Sequence, residues 1–417
     1  MKRVAIVGVG VTPRNHAYMR DYDRRSWKDY VIDGAYDAIA DVKKGFNARD
    51  IQYAVVNYHG ETFMEAGGIG PVVADILGLH PIGVLPLCTN CTGAGVGLHE
   101  GYSLVASGRY DRVLVLGFEK GSEVLNGADV RALGGDVDYD YNFGYDHPTI
   151  QALLQAYAYK KWGTKKVLRA FAAYRMQSIW WGTRNPLAAR WGVRYDVTLD
   201  ELNAIIDRTP ENGPIPTEFW ARLPGNFTVE GASAAILVPA EDAYNYTDWP
   251  VFIEGVAYKT NAHLLSRQMY SQALGLERYD ICDFASPHIA VEEAYKMAGI
   301  TARDVDFAEV FESHITSLLP TLAATRVPEP DKLLDFVIKG ETGPGGRLPT
   351  GTNGGCGGFG LTSGSNFSDH VYEAVHQMRG DTGERQLKKT DVAVIVGMQG
   401  EMASSAAAVL RNGRKGG

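Results

Sequence analysis

A chain of 417 residues, 45% of them hydrophobic and 22% charged, can bury one large core or two fused ones. Lys and Arg number 41 against 49 Asp and Glu, a net charge of −8, and no basic run exceeds a pair, which argues against nucleic acid as a partner. No apolar stretch approaches the ~18 residues of a membrane span, and four cysteines do not make a disulfide scaffold at this length, so a soluble, cytoplasmic protein is expected.

Met1-Lys2-Arg3 before Val4–Val7 has the outline of a signal peptide, but Gly8, Gly10 and Pro13 interrupt the apolar run, and a first β-strand fits better. Gly8-Val9-Gly10 lacks the third glycine of a dinucleotide-binding loop, position 13 being proline, and is read as a turn pair. Apolar spacing predicts a helix over Tyr30–Val42 and then a strand over Tyr53–Val56. Cys88-Thr89-Asn90-Cys91 has CxxC spacing, yet Cys282 and Cys356 stand alone and no histidine pair follows, so no metal is expected. Small residues from Gly93 to Gly97 predict a helix to Ala106 that begins inside the protein. Cys91 then stands on unpaired amides at the positive end of a helix dipole. That setting favours thiolate, by about 0.3–1 kcal/mol when exposed and up to ~2 kcal/mol when partly buried. On this pattern alone, Cys91 is as well read as an inert buried cysteine as a nucleophile.

Residues 121–225 depart from the strand–helix alternation. They hold the Asp- and Tyr-rich run Asp136–Tyr141, a loop over Pro210–Pro216, and Trp180, Trp181 and Trp191. This insert is read as a cover over a site, its tryptophans serving either that site or a small core of their own. Beyond it the chain echoes itself. Asn47-Ala-Arg-Asp-Ile-Gln-Tyr-Ala-Val-Val56 returns as Thr301-Ala-Arg-Asp-Val-Asp-Phe-Ala-Glu-Val310, after a helix over Val291–Met297 and into a strand over Phe307–Phe311. Val105–Tyr110, leading into Arg112–Gly117, returns as Met378-Arg379-Gly380 leading into Val392–Gly397. Continuous aliphatic strands suit a sheet covered on both faces, and two echoes in one order imply two packed α/β halves. The expected division is 1–120 with 226–250 for the N-terminal half, 121–225 for the insert and 251–417 for the C-terminal half.

Asn90-Cys91-Thr92-Gly93, Ser107-Gly108, Leu116–Lys120, Trp162-Gly163-Thr164, Asn185-Pro186, Gly231–Leu237, Gly354-Gly355 and Arg379–Gln386 together resemble, in order and over nearly the whole chain, thiolases of the sterol-carrier-protein-x type. The resemblance implies a thiolase fold, two βαβαβαβ halves in a five-layer α-β-α-β-α sandwich, dimerised through the first half. It also implies chemistry at carbon–carbon bonds beside a coenzyme A thioester, with coenzyme A as co-substrate and no covalently bound cofactor. The nucleophile falls on Cys91. The family's His-Asp-Cys-Phe motif falls on Phe311-Glu312-Ser313-His314, so only the acidic position survives, as Glu312. The histidine of the Gly-His-Pro motif falls on Leu361, and the second cysteine that other thiolases carry near the last strand falls on Gln399. The amides of Cys91 and of the Gly400–Glu401 turn are implied as the oxyanion hole.

His314 is the candidate base or acid, with helix capping as its alternative. Cys356, in the glycine-rich run Asn353–Gly360, is either a second thiol or a small residue placed for space. His59 and His147 stay open as further candidates, with surface or core roles favoured. Phe311 and Leu361 in place of histidines, with the insert's tryptophans, point to a bulky, branched or aromatic 3-oxoacyl-CoA, benzoylsuccinyl-CoA-like. With both usual second cysteines gone, retro-Claisen cleavage is expected rather than condensation. Such altered sites resemble those of chains that work with a small zinc-ribbon/OB-fold subunit, and the sequence stops just after its last strand without that module. A retro-aldol lyase on a coenzyme A ester and a catalytically silent thioester-binding subunit stand as alternatives.

Overall fold

The computed structural model describes residues 1–16, 25–60, 67–121, 135–144, 147–211, 214–226, 228–269, 284–400 and 402–414. The first half begins with β1 (Val4–Val11), buried at every position, and α1 (Trp27–Ala40). A reciprocal Ser26–Asp29 capping box starts α1 by satisfying amides that its first turn leaves open. Next come β2 (Tyr53–Tyr58), α2 (Ile69–Ile76), β3 (Gly83–Cys88), α3 (Gly93–Ala106) and β4 (Val113–Glu119). The insert then contributes α4 (His147–Trp162), α5 (Thr164–Gly182) and α6 (Leu199–Arg208). Strand β5 (Val229–Pro239) returns to the first half. The second half comprises β6 (Val251–Thr260), α7 (Ala285–Ala298), β7 (Phe307–Val310), α8 (Leu318–Ala324), α9 (Asn366–Arg379), β8 (Val392–Met398) and β9 (Ser404–Asn412).

The echoed sequences fold alike. Asn47 accepts from the Arg49 amide and Thr301 from the Arg303 amide, so each copy opens on the same capped 3₁₀ turn before its strand. Gly108 and Gly380, at φ +74° and +81°, end α3 and α9 in the left-handed conformation glycine adopts most readily.

Hydrogen bonds run through the strands in the order β3-β2-β4-β5-β1-β6-β9-β8-β7. Outward from the β1–β6 seam the two halves therefore read β1-β5-β4-β2-β3 and β6-β9-β8-β7, the same order mirrored. Among the described residues β3 has no second-half counterpart; there Thr350 makes a single bridge to Ala308. One core cluster holds α3 residues Leu98 and Val105, α9 residues Phe367 and Val371, and strand residues of both halves, so these two helices form the middle layer. A second cluster packs α1 on the first-half strands, and a third packs α7 and α8 on the second-half strands. This is a thiolase fold with the expected α-β-α-β-α layering.

Two contacts place a second-half loop against the first half. Gly117 in β4 has no Cβ, and one there would lie 2.6 Å from the Gly364 oxygen. The Gly364 amide in turn donates to Glu119 at 2.8 Å. The insert is helical and has its own small core around Leu168, Ile205 and Phe219. Its tryptophans do not form one cluster: Trp181 is buried edge-on against Trp180, whereas Trp191 is 62% exposed.

Candidate active site

Between β3 and α3 the chain makes a 3₁₀ turn over Asn90–Thr92. Asn90 takes φ +49°, a left-handed backbone that asparagine tolerates better than most residues. The turn separates the two cysteines. Cys88 is exposed and its thiol donates to the His59 oxygen at 3.2 Å, while Cys91 is buried at the foot of α3. Helix α3 starts deep because Gly93 leaves room for the Asn57 amide, with which any Cβ would collide. The Thr92 and Ser404 hydroxyls lie 2.9 Å apart, and Ser404 donates to Gln399 at 3.1 Å. Gln399 therefore helps hold the turn that carries Cys91 from the second half. Met402, just after Gln399, has φ +65°, so left-handed non-glycine residues stand on both sides of the site.

Glu312, two residues past β7, is fully buried. Its Oε1 accepts the Cys356 amide at 2.6 Å, and Gly355 lacks the Cβ that would block this carboxylate. Burial pushes the Glu312 carboxyl up to about 7, against the opposing pull of Arg175 and the Cys356 amide. Burial, together with Glu312, keeps the Cys356 thiol well above its ordinary range, so it stays neutral. Cys91 adds slightly to this upward push on Cys356. Arg175, on α5, lays its guanidinium across Gly357, which again has no Cβ to obstruct it. Tyr174 is buried beside Glu312 and Cys356, its hydroxyl unbonded.

On the other side stands a pair of histidines. The rings of His314 and His147 lie 4.8 Å apart, and the His147 Nε2 is 3.5 Å from the Ser313 hydroxyl. The His147 ring covers Gly400 so closely that no side chain fits there. One turn further along α4, on the same face, Gln151 donates to the Gly400 oxygen at 3.3 Å and accepts from Ser317 at 3.2 Å. A cleft of about 410 Å³ opens onto this region, with Gln155, Arg175, Trp220, Asn226 and His314 in its wall. That is the size of a small-molecule site.

The expected residues thus divide into groups. Cys91, Cys356, Phe311 and Leu361 all belong to one apolar cluster. Glu312 joins them from below, and His314 and Gly400 meet through His147. Glu401 and Cys282 lie outside the described residues. The tryptophans expected over the acyl pocket sit elsewhere. Trp180 and Trp181 line a separate groove with Arg303, Arg347 and Lys388, and Trp220 takes the place beside His314. His147, for which a surface or core role was favoured, lies beside His314 and Ser313, and Arg175 was not singled out at all. Both come from the insert, which carries no spacing pattern to mark them.

The thiolase C-terminal domain-like family profile matches residues 269–412. The chain is 26% identical over 405 residues to the acetyl-CoA acetyltransferase of Methanothermobacter thermautotrophicus, covering 94% of this chain and 95% of that one. Over 269–412 the chain matches the thiolase C-terminal domain-like family, and over nearly its whole length it is similar to this acetyltransferase. A second relative is sterol carrier protein 2 of Homo sapiens, 24% identical over 404 residues, with 94% of this chain and 69% of that protein covered. A solved Ltp2–ChsH2 aldolase shares the fold, with a TM-score of 0.77 at 20% identity over 99% of this chain and 98% of that one. At the motif positions named from the sequence the chain has Phe311, Ser313 and Leu361.

Proposed function

We propose that this chain is a degradative thiolase-type acyltransferase that cleaves a bulky, branched or aromatic 3-oxoacyl-CoA, benzoylsuccinyl-CoA-like in shape, by retro-Claisen attack of Cys91. The observation that carries this reading is the buried Cys91 turn at the start of α3, held from the second half through Thr92, Ser404 and Gln399. Glu312, a carboxyl poised near neutrality, takes the thiol proton. The Cys91 sulfur adds to the C3 ketone, and the amides of Cys91 and Gly400 receive the oxyanion. The C2–C3 bond then breaks and its electron pair moves into the thioester enolate. The His147–His314 pair delivers a proton to C2, and the shorter acyl-CoA leaves. Coenzyme A attacks the remaining acyl thioester on Cys91, releasing the second acyl-CoA and restoring the thiol. A homodimer through the first half, a small zinc-ribbon/OB-fold partner and a cytoplasmic location complete the reading.

A retro-aldol reaction is the second reading. It is favoured by the leucine at 361 and by the fold shared with a solved aldolase. It needs a base for a 3-hydroxyl group and no nucleophile. Intact-mass measurement after incubation with 3-oxoacyl-CoAs separates the two. A covalent acyl adduct that disappears in Cys91→Ser is the expected result. Cleavage of 3-hydroxyacyl-CoAs at an undiminished rate in Cys91→Ser would transfer the assignment to aldol chemistry. Silence toward both substrate sets would leave a thioester-binding subunit.

A further inference from the structure

Arg175 is 3% exposed and forms no ion pair among the described residues, and its Nε and Nη1 carry no hydrogen bond. A buried guanidinium without a bonded anion is costly, because its desolvation is not offset. The nearest carboxyl does not serve. Glu312 directs Oε1 to the Cys356 amide and titrates at about 7, so near neutrality it supplies only part of a negative charge. Nor does the cleft help: no Asp or Glu stands among the described residues that line it. Arg190 donates to the backbone oxygens of Gly357 and Gly225, and burial, with Arg175 beside it, pulls it down to about 9, which leaves it charged at neutral pH. Around these cations the wall is neutral: Gln151, Gln155, Asn226, Trp220 and Ile315.

We infer that Arg175 is the anchor for a carboxylate on the acyl part of the substrate, so that the enzyme acts on acidic acyl thioesters rather than neutral ones. This rests on the thiolase reading of the site. Position separates an acyl carboxylate from the phosphates of coenzyme A as the anion. Arg175 is buried beside the cluster of Glu312, Cys356 and Tyr174 that surrounds the reacting end, whereas phosphates carry charge best kept in water at the mouth. Planar guanidinium donors suit a carboxylate, and each charge-assisted bond strengthens when water is excluded.

The test measures binding, not turnover, and so stands apart from the chemistry. Calorimetry on the Cys91→Ser protein compares succinyl-, glutaryl- and adipyl-CoA with the neutral butyryl-, valeryl- and hexanoyl-CoA. For at least one chain length the acidic thioester is expected to bind about 30-fold tighter, about 2 kcal/mol. Arg175→Gln abolishes that gap while leaving the neutral set unchanged, and Arg175→Lys retains part of it. Equal binding of the two sets, no binding of either, or a gap that survives Arg175→Gln would overturn the assignment. Loss of both sets alike in Arg175→Gln would place a coenzyme A phosphate on Arg175 and overturn it too. Circular dichroism and the thermal midpoint establish that each variant is folded; if Arg175→Gln is not, Arg175→Lys decides by whether it narrows the gap. A protein that forms the Cys91 adduct yet shows no acidic preference sinks this inference and leaves the thiolase reading intact.

Discussion

Glu312 shows how one carboxyl is made usable at neutral pH. An exposed glutamate is ionised near pH 7 and too weak a base to deprotonate a thiol efficiently. Burial raises Glu312 to about 7, and Arg175 with the Cys356 amide keeps it from rising further. Its basic form is the carboxylate, present above that value and lost below it. The kcat/KM profile is therefore expected to climb with pH through an apparent value near 7. Glu312→Gln should remove that limb and lower kcat by about 10²–10⁴-fold, the usual worth of a general base. A profile with the limb unmoved in Glu312→Gln would reassign it to the histidines. Cys91 was legible as a candidate because small residues follow it, whereas Glu312 was reached only through the family resemblance. His147 and Arg175 left no local trace, since their relevance comes only from the way α4 and α5 fold back over Gly400 and Gly357.

Among the elements, α5 fits the glycine-rich turn at 354–358 with almost no clearance. A Cβ on Gly182 would lie 2.5 Å from the Gly358 Cα, and backbone cannot swing aside as a side-chain tip can. Gly182→Ala is expected to destabilise the protein by about 2 kcal/mol, read as a lower urea midpoint at unchanged slope. Because that turn carries Cys356 and the amide bound by Glu312, activity should fall as well. Sequence periodicity found helices and strands of the two halves but neither their ends nor the helices of the insert. The expected strand Tyr53–Val56 stopped before a polar residue, yet Asn57 continues the ladder to Tyr58, its side chain donating to the Gly364 oxygen at 2.6 Å. Phe311 was expected within the last strand. It lies one residue past β7 while still donating its amide to Val396 at 2.8 Å.

For the molecule as a whole, the repeated capped turns made two halves legible, whereas their junction had no local marker. β3 forms one edge of the sheet and leaves Gly83, Pro86 and Cys88 exposed, an open ladder of the kind that pairs with another chain. The proposed dimer through the first half uses this edge. Leu87→Lys is expected to convert it to monomer, as seen by light scattering at micromolar concentration. Wild-type protein that is monomeric across that range would remove the dimer from the account.

The β1–β6 seam rests on only three paired positions, Val4–Ile253, Ala5–Phe252 and Ile6–Val251. The thiol reaches the centre from one side of this join, while Glu312 and His314 reach it from the other. On the proposed reading neither half carries a complete set, so reactivity belongs to their alignment.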